Sequence, residues 1–419
     1  MSTEAPAKHK KVNLRRPDVM EMVQQQVEGH YRSSLVELIR SQGNVFAAGG
    51  ITVKLAKEFG FCYGVERAID LAYAARKVFK EDTIWLLGEI IHNPEVNDQI
   101  KSMGILTISQ RPTQDELEKV QPEDVVIIPA FGTEVDTRAI LEAKGCRLVD
   151  TTCGDVMSVW KRVRQNAKES VTSIIHGKSW HEETMATSSQ ATARQGQYLV
   201  VYTLEETDYV CNYFLNGGDK DEFMEKFKGA YSLGFDPDIH LQAIGVANQT
   251  TMMRDETEEV QRRFKAAIEK KYGAKKLPDH FRFFDTICGA TQERQDALSK
   301  LLSENLDMLI VVGGYNSSNT SHLAEMGKAV LPTYFIKNSC KMVSPELISH
   351  YKQREKNELE TKNELETKNE LETKDWLATE GDLTIGITAG ASCPNNLIED
   401  AIRRLFELRG ICVDDHLGN

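Results

Sequence analysis

Three stretches of this chain place a cysteine just ahead of a helical pattern: Phe61-Cys62-Tyr63-Gly64, Asp150-Thr151-Thr152-Cys153-Gly154 and Asp285-Thr286-Ile287-Cys288-Gly289. The last two share Asp-Thr-x-Cys-Gly, and the three thiols are 91 and 135 residues apart. A helix start offers unpaired N–H groups and favours a negative charge, so it favours thiolate, the form that binds iron or zinc. Isolated cysteines are ordinarily core residues; a repeated local context argues for a shared role. Three thiolates can hold three irons of a 4Fe-4S cluster and leave the fourth open. They can equally fill three corners of a zinc site completed by His or carboxylate, and spacing alone does not choose between the two.

Other polar groups fall near strand ends. His92 follows Gly88-Glu89-Ile90-Ile91, while His176 and His181 bracket Gly177-Lys178-Ser179-Trp180, with Glu183 close behind. Histidine titrates near neutrality and a buried glutamate is raised toward it, so this set can bind an anion or move a proton. Gly313-Gly314 followed by Tyr315-Asn316-Ser317-Ser318-Asn319-Thr320 permits a tight loop before a helix, and Gly390-Ala391-Ser392 precedes another. Amides and hydroxyls there could cradle phosphate without Lys or Arg. Neither stretch is a GxGxxG fingerprint or a Walker A loop.

The elements that must carry these residues alternate. Strands are expected at Ile51–Ala56, Thr83–Leu87, Asp124–Ile128, Ser173–Ile175, Tyr198–Tyr202, Gln242–Val246, Met308–Val312, Leu331–Phe335 and Leu383–Thr388. Helical patterns between them include Val65–Phe79, Asp155–Ser170, Glu256–Lys271, Thr291–Ser303 and Asn395–Leu408. Such alternation predicts an α/β fold with parallel sheets. Residues 1–50 form an N-terminal extension in which Val19, Val23, Val27, Tyr31, Leu35, Leu38 and Ile39 follow one helical stripe. Asn-Glu-Leu-Glu-Thr-Lys occurs three times from Asn357 to Lys374. Its Glu-to-Lys i,i+4 pairs favour helix, but leucines every six residues make no continuous apolar face. Residues 352–375 are therefore expected to be an exposed, partly helical insertion, with 357–374 dispensable for chemistry.

Composition narrows the classes. The chain has 419 residues, 41% hydrophobic and 27% charged, enough for more than one core and unlike a disordered or collagenous protein. Its 51 basic and 63 acidic residues give a net charge of −12, no support for a nucleic-acid-coating protein. Eight cysteines without a CxxC pair suit a reducing compartment better than a secreted disulfide scaffold. Met1 to Val12 is polar and basic rather than signal-like, and no stretch reaches the roughly 18–20 apolar residues of a membrane span.

The ordered set Gly60-Phe61-Cys62-Tyr63-Gly64-Val65, Ile91-His92-Asn93, Asp150-Thr151-Thr152-Cys153, His181-Glu182-Glu183-Thr184, Asn248-Gln249-Thr250-Thr251, Asn316-Ser317-Ser318-Asn319 and Thr388-Ala389-Gly390-Ala391-Ser392 resembles the 4-hydroxy-3-methylbut-2-enyl diphosphate reductase family, cyanobacterial and plastid branch, from Ile51 to about Leu408. The resemblance implies a trefoil of three pseudo-equivalent α/β units around a central iron–sulfur site. On that scheme the units are 51–152, 153–287 and 288–419, with 51–63 able to pack with the third and the charged insertion inside it. It also implies reduction of the C5 allylic diphosphate to isopentenyl and dimethylallyl diphosphates, the final step of the non-mevalonate isoprenoid pathway, with two electrons and two protons consumed and water released.

Residue by residue, the resemblance makes Cys62, Cys153 and Cys288 the ligands of one 4Fe-4S cluster with an open substrate-binding iron. It assigns His92, His181, Thr250, Ser317, Ser318, Asn319 and Ser392 to substrate, and gives Glu183, Thr250 and His181 the catalytic proton network. Many members place His in the loop matching Pro129-Ala130-Phe131-Gly132-Thr133; Phe131 cannot donate that hydrogen bond. Reduced ferredoxin is the implied electron donor, no nucleic acid or membrane span is expected, and homo-oligomerisation stays open. The cytoplasm of a cyanobacterium is favoured over plastid stroma because no transit segment is evident. An iron–sulfur dehydratase without net reduction and a zinc-stabilised phosphate-binding protein are the competing readings.

Overall fold

Short runs of Val, Ile and Leu without polar alternation become strands covered on both faces, as parallel sheets between helices require. Val125–Ile128, Thr172–His176, Ile244–Asn248 and Met308–Val312 are buried at every position. The computed structural model describes residues 13–284, 286–352 and 370–417. They divide into two compact units, one built mainly from Ala75–Ile90 and Lys101–Cys288, the other from Arg15–Ala74, Ile91–Ile100 and the chain from Gly289 onward. The α/β class expected from the sequence is the class observed.

The first unit holds two four-stranded, wholly parallel sheets. One has the spatial order Leu106–Ile108, Ile84–Leu87, Val125–Ile128, Arg147–Asp150. The other runs Phe281–Phe283, Ile244–Asn248, Thr172–His176, Tyr198–Val201. Ile174, Leu199, Val246, Phe223 and Phe264 pack together over the second sheet. Leu87, Ile108, Val126 and Leu141 do the same for the first.

The second unit carries a five-stranded sheet in the order Val45–Ala48, Ile51–Leu55, Leu383–Ala389, Met308–Val312, Thr333–Ile336. Only the Val45–Ala48 pairing is antiparallel. Its core joins Val53, Ile310, Phe335 and Ile387 to Leu35, Ile39 and Phe406. The apolar stripe of residues 19–39 is thus split into two helices, Pro17–Tyr31 and Ser34–Ser41. Arg32 turns extended, and the Ser33 hydroxyl caps the second helix by accepting the Val36 N–H at 2.9 Å.

A three-stranded antiparallel sheet, Met342–Ser344, Leu347–Tyr351 and Glu370–Lys374, completes this unit. Here the expected partial helix is corrected at its C-terminal end, since Glu370–Lys374 is a strand in register with Leu347–Tyr351. An i,i+4 pair is worth only about 0.2–0.5 kcal/mol, less than a ladder of backbone hydrogen bonds from a neighbouring strand supplies. Residues 353–369, with the first two repeats, lie outside the described residues.

In the two wholly parallel sheets and along the parallel strands of the five-stranded one, the polar residues singled out above come just after the carboxyl ends of strands, where open α/β sheets bind ligands. His92 follows Ile84–Leu87, Cys153 follows Arg147–Asp150, His181 follows Thr172–His176 and Thr250 follows Ile244–Asn248. Cys62, Ser317 and Ser392 likewise follow Ile51–Leu55, Met308–Val312 and Leu383–Ala389.

Candidate functional site

In the first unit the site is built around a buried carboxylate. Glu183 lies in the first turn of the Glu182–Thr192 helix and is 3% exposed. Its Oε1 accepts the Thr250 N–H at 2.6 Å and its Oε2 accepts the Thr250 hydroxyl at 3.0 Å. The Thr250 carbonyl in turn accepts the Cys288 N–H at 3.3 Å. A continuous set of hydrogen bonds therefore runs from the carboxylate to the backbone of a candidate ligand.

Gln249 holds this corner in place. Its Oε1 accepts the Lys178 N–H at 3.1 Å and the Thr184 hydroxyl at 3.2 Å, tying the turn after Thr172–His176 to the end of Ile244–Asn248. Gly177 is required at that crossing, because a Cβ there would meet the Gln249 Cβ at 2.9 Å. The role of Gln249 was not singled out from sequence; its place between Asn248 and Thr250 was the available signal. Asn248 Oδ1 accepts the Thr286 hydroxyl, bracing the segment before Cys288. Asp285, part of the Asp-Thr-x-Cys-Gly motif, lies outside the described residues.

His181 is the N-cap of the same helix, and its Nδ1 accepts the Glu183 N–H at 3.2 Å. An accepting Nδ1 puts the proton of a neutral imidazole on Nε2, making that atom a donor. Phe131 packs edge-on to the ring, centroids 6.5 Å apart, and supplies apolar support there. Cys153 is the N-cap of Gly154–Lys168, with its N–H donated to the Ala130 carbonyl at 2.8 Å. Asp150 fixes the preceding turn: burial raises its carboxyl, but hydrogen bonds from Thr152 and Arg138 outweigh that and hold it below the usual range.

The second unit has its own cluster of neutral donors. Ser317 caps the Ser318–Lys328 helix, and its Oγ accepts the Thr320 hydroxyl at 2.9 Å. The Ser392 hydroxyl lies 3.4 Å from Ser317 Oγ and 3.1 Å from the His92 carbonyl, to which it donates. Asn316 Nδ2 faces His92 Nδ1 at 3.4 Å, a contact compatible with a ring proton on Nε2. Asn319 Oδ1 accepts the Ala391 N–H at 3.0 Å, while its buried Nδ2 has no hydrogen-bond partner among the described residues. A buried amide donor without an acceptor costs free energy, and an acceptor-rich ligand would satisfy this one. Ser318 is also buried in the first turn, where the helix dipole favours anions. Gly314 cannot carry a side chain, since a Cβ there would sit 2.4 Å from the His92 carbonyl oxygen.

Cys62 stands immediately before Tyr63–Val78, its carbonyl accepting the Glu66 N–H at 2.9 Å and its N–H reaching the Ala391 carbonyl at 3.2 Å. Buried Arg294 braces the approach, donating from Nη2 to the Gly60 carbonyl at 2.6 Å. Cys288 directly precedes the Gly289–Leu302 helix. All three candidate thiols are thus partly accessible and precede helices, which suits them to thiolate ligation. Cys146, Cys211 and Cys393 are buried, and burial raises each thiol, Cys211 to about 12.

Comparison with known proteins identifies the family. The LytB protein family profile matches residues 53–406. A protein of Thermosynechococcus vestitus named 4-hydroxy-3-methylbut-2-enyl diphosphate reductase is 45% identical over 392 residues, 93% of each chain. A Synechococcus protein of the same name is 47% identical over 384 residues, 91% of this chain and 92% of its own. A solved structure of (E)-4-hydroxy-3-methyl-but-2-enyl diphosphate reductase, described as the terminal enzyme of the non-mevalonate pathway, superposes with a TM-score of 0.50. It is 26% identical and covers 85% of this chain and 99% of its own. A Plasmodium falciparum structure, 21% identical with a TM-score of 0.58 over 84% of this chain and 86% of its own, shares the fold. Among the described residues, no helix is long and apolar enough to cross a membrane.

Proposed function

The chain belongs to the LytB protein family, and on that premise we propose that its two polar clusters carry out the reductive dehydroxylation of (E)-4-hydroxy-3-methylbut-2-enyl diphosphate. The products are isopentenyl and dimethylallyl diphosphates, and the reaction is the terminal step of the non-mevalonate pathway. It consumes two electrons and two protons, breaks the allylic C–O bond and releases water. The observation that carries the reading is the buried Glu183 carboxylate engaged twice by Thr250, whose carbonyl holds the Cys288 amide.

Cys62, Cys153 and Cys288 would hold the cofactor. Three accessible thiols at helix starts are a donor set that fits a 4Fe-4S cluster with one iron lacking a protein ligand. When bound, such a cluster supplies the two electrons one at a time and a Lewis-acidic iron for the substrate hydroxyl. The protein side of the chemistry is proton handling. A proton held on Glu183 Oε2 can pass to Thr250 Oγ1 as the threonine turns its own hydroxyl hydrogen outward, toward the leaving oxygen. His92, His181, Ser317, Ser318, Asn319 and Ser392 present the donors that would hold the diphosphate and fix the short carbon chain.

Neutral donors and a helix start bind the phosphate oxygens without burying a cationic side chain. Reduced ferredoxin as donor and the cytoplasm of a cyanobacterium complete the proposal, supported by the cyanobacterial source of the relatives. Anaerobic purification followed by turnover with a reduced carrier tests it, with iron, sulfide, electrons consumed and both C5 products measured together. Two electrons per substrate with both products formed is the expected result. Substrate loss without electron use would instead indicate a dehydratase, and bound zinc with no reconstitutable cluster a binding protein.

A further inference from the structure

The charged repeat ends on the loop assigned to diphosphate. Glu370, the first residue of the Glu370–Lys374 strand, pairs in register with Tyr351 and accepts the Tyr315 hydroxyl on Oε1 at 3.0 Å. Its Oε2 accepts Lys341 Nζ at 2.6 Å and the Ser349 hydroxyl at 3.0 Å. Tyr315 is 7% exposed, stacked on Tyr351 with centroids 4.9 Å apart and edge-on to Phe335 at 5.2 Å. It stands between Gly313-Gly314, where the backbone is free to turn, and Asn316-Ser317, where the polar cluster begins. The Ser317 N–H closes that turn on the Gly314 carbonyl at 3.1 Å, so displacement of Tyr315 displaces the Ser317 cap directly.

We propose that Glu370 is a positioning residue for substrate affinity: by holding the Tyr315 hydroxyl it fixes the Gly313–Asn319 loop, and the strand at the end of the repeat is thereby coupled to diphosphate binding. A carboxylate suits this task because it accepts from Tyr315 on one oxygen while Lys341 and Ser349 hold the other. The loop itself is mostly small residues, Gly313, Gly314, Asn316, Ser317 and Ser318, with little apolar area of its own to pack it in place. Its one large side chain is the tyrosine that Glu370 grips.

This inference rests on the diphosphate assignment of the loop, and the test separates the two. Cluster-loaded enzyme carrying Glu370→Ala, Tyr315→Phe, both changes, Glu370→Gln or Ser317→Ala is assayed for kcat, KM and competitive inhibition by inorganic diphosphate, with iron content measured throughout. Glu370→Ala and Tyr315→Phe should each raise KM and the inhibition constant about tenfold, the scale of one lost hydrogen bond to a carboxylate, with kcat within roughly twofold. The double variant should be no worse than either single one, because both remove the same contact. Glu370→Gln should recover most of the affinity, since its carbonyl still accepts from Tyr315. Additive effects, or an unchanged inhibition constant in Glu370→Ala while Ser317→Ala weakens it, would overturn the coupling alone. An unchanged inhibition constant in Ser317→Ala would remove the diphosphate assignment and this inference together.

Discussion

Glu183 and Thr250 meet through two hydrogen bonds, the carboxylate accepting the threonine N–H at 2.6 Å on one oxygen and its hydroxyl at 3.0 Å on the other. The backbone bond fixes where the carboxylate sits, and the hydroxyl bond is the one able to reverse direction. In the proposed mechanism, positioning and proton transfer are thereby divided between two oxygens of one side chain. Both partners lie near carboxyl ends of adjacent parallel strands, Thr172–His176 and Ile244–Asn248, so the sheet sets their separation.

Glu183→Gln should separate those roles. Its amide oxygen can still accept the Thr250 N–H, and its NH2 can donate to Thr250 Oγ, so folding and iron content should match the parent enzyme. Without a titratable proton, kcat should fall by about 10²–10⁴, the usual range for a lost general acid. Steady-state kinetics with iron analysis checks this; near-parental turnover would take Glu183 out of the proton path.

Asn319→Asp tests the donor cluster. One aspartate oxygen keeps the Ala391 N–H bond, and the helix dipole offsets part of the cost of a buried carboxylate in the first turn of Ser318–Lys328, so the variant should fold with a lowered melting temperature. The other oxygen replaces the buried Nδ2 donor by a negative charge. Inhibition by inorganic diphosphate should weaken by at least about a hundredfold, the cost of opposing like charges in a buried site. Unchanged inhibition would show that Asn319 does not face the anion.

The eight cysteines should sort by chemistry. In native protein at pH 8, Cys340 and Cys412 are exposed and should alkylate first. With its thiol raised to about 12, Cys211 presents only about 10⁻⁴ as thiolate at that pH. Cys393, fully buried in the second unit's core, should be slower still. Cys62, Cys153 and Cys288 should react in apoprotein and be protected after cluster reconstitution. Mass spectrometry of alkylated peptides reads each position, and serine at any of the three should abolish native iron content, while Cys393→Ser retains it.

Local signals account for much of what was legible in the sequence. Met308–Val312 was expected and found with the same limits, because a continuous apolar run has one home, a strand covered on both faces. The three cysteines were placed ahead of helices by glycine and helical periodicity, and the structure puts them there. What escaped depends on partners distant in sequence. Glu370–Lys374 has the charge pattern of a helix but receives its ladder from Leu347–Tyr351. Nothing near Glu370 announces Tyr315, 55 positions earlier. Leu106–Ile108 and Phe281–Phe283, three residues each, are too short to show a period and exist as edges of sheets formed by others.

The Glu370–Lys374 strand should loosen in acid. His350 lies on the strand beside it, buried, with Nε2 at 2.8 Å from Thr373 Oγ1 and its ring edge-on to Tyr334. Burial lowers its pKa below the ordinary 6.5, and Lys328 adds to the lowering, against smaller opposing effects of the Tyr351 backbone and Glu370. The neutral ring is therefore favoured by the fold, while the unfolded segment binds a proton more readily. The stabilisation is complete above pH 6.5 and is lost progressively as pH falls from there through the folded-state value. Hydrogen-exchange protection factors for the Leu371–Lys374 amides, corrected for intrinsic exchange, should fall between about pH 7 and 5. In His350→Asn that pH dependence should disappear, whereas protection in the Met308–Val312 strand should follow the parent protein. If the parent amides keep constant protection across this interval, His350 does not control the strand.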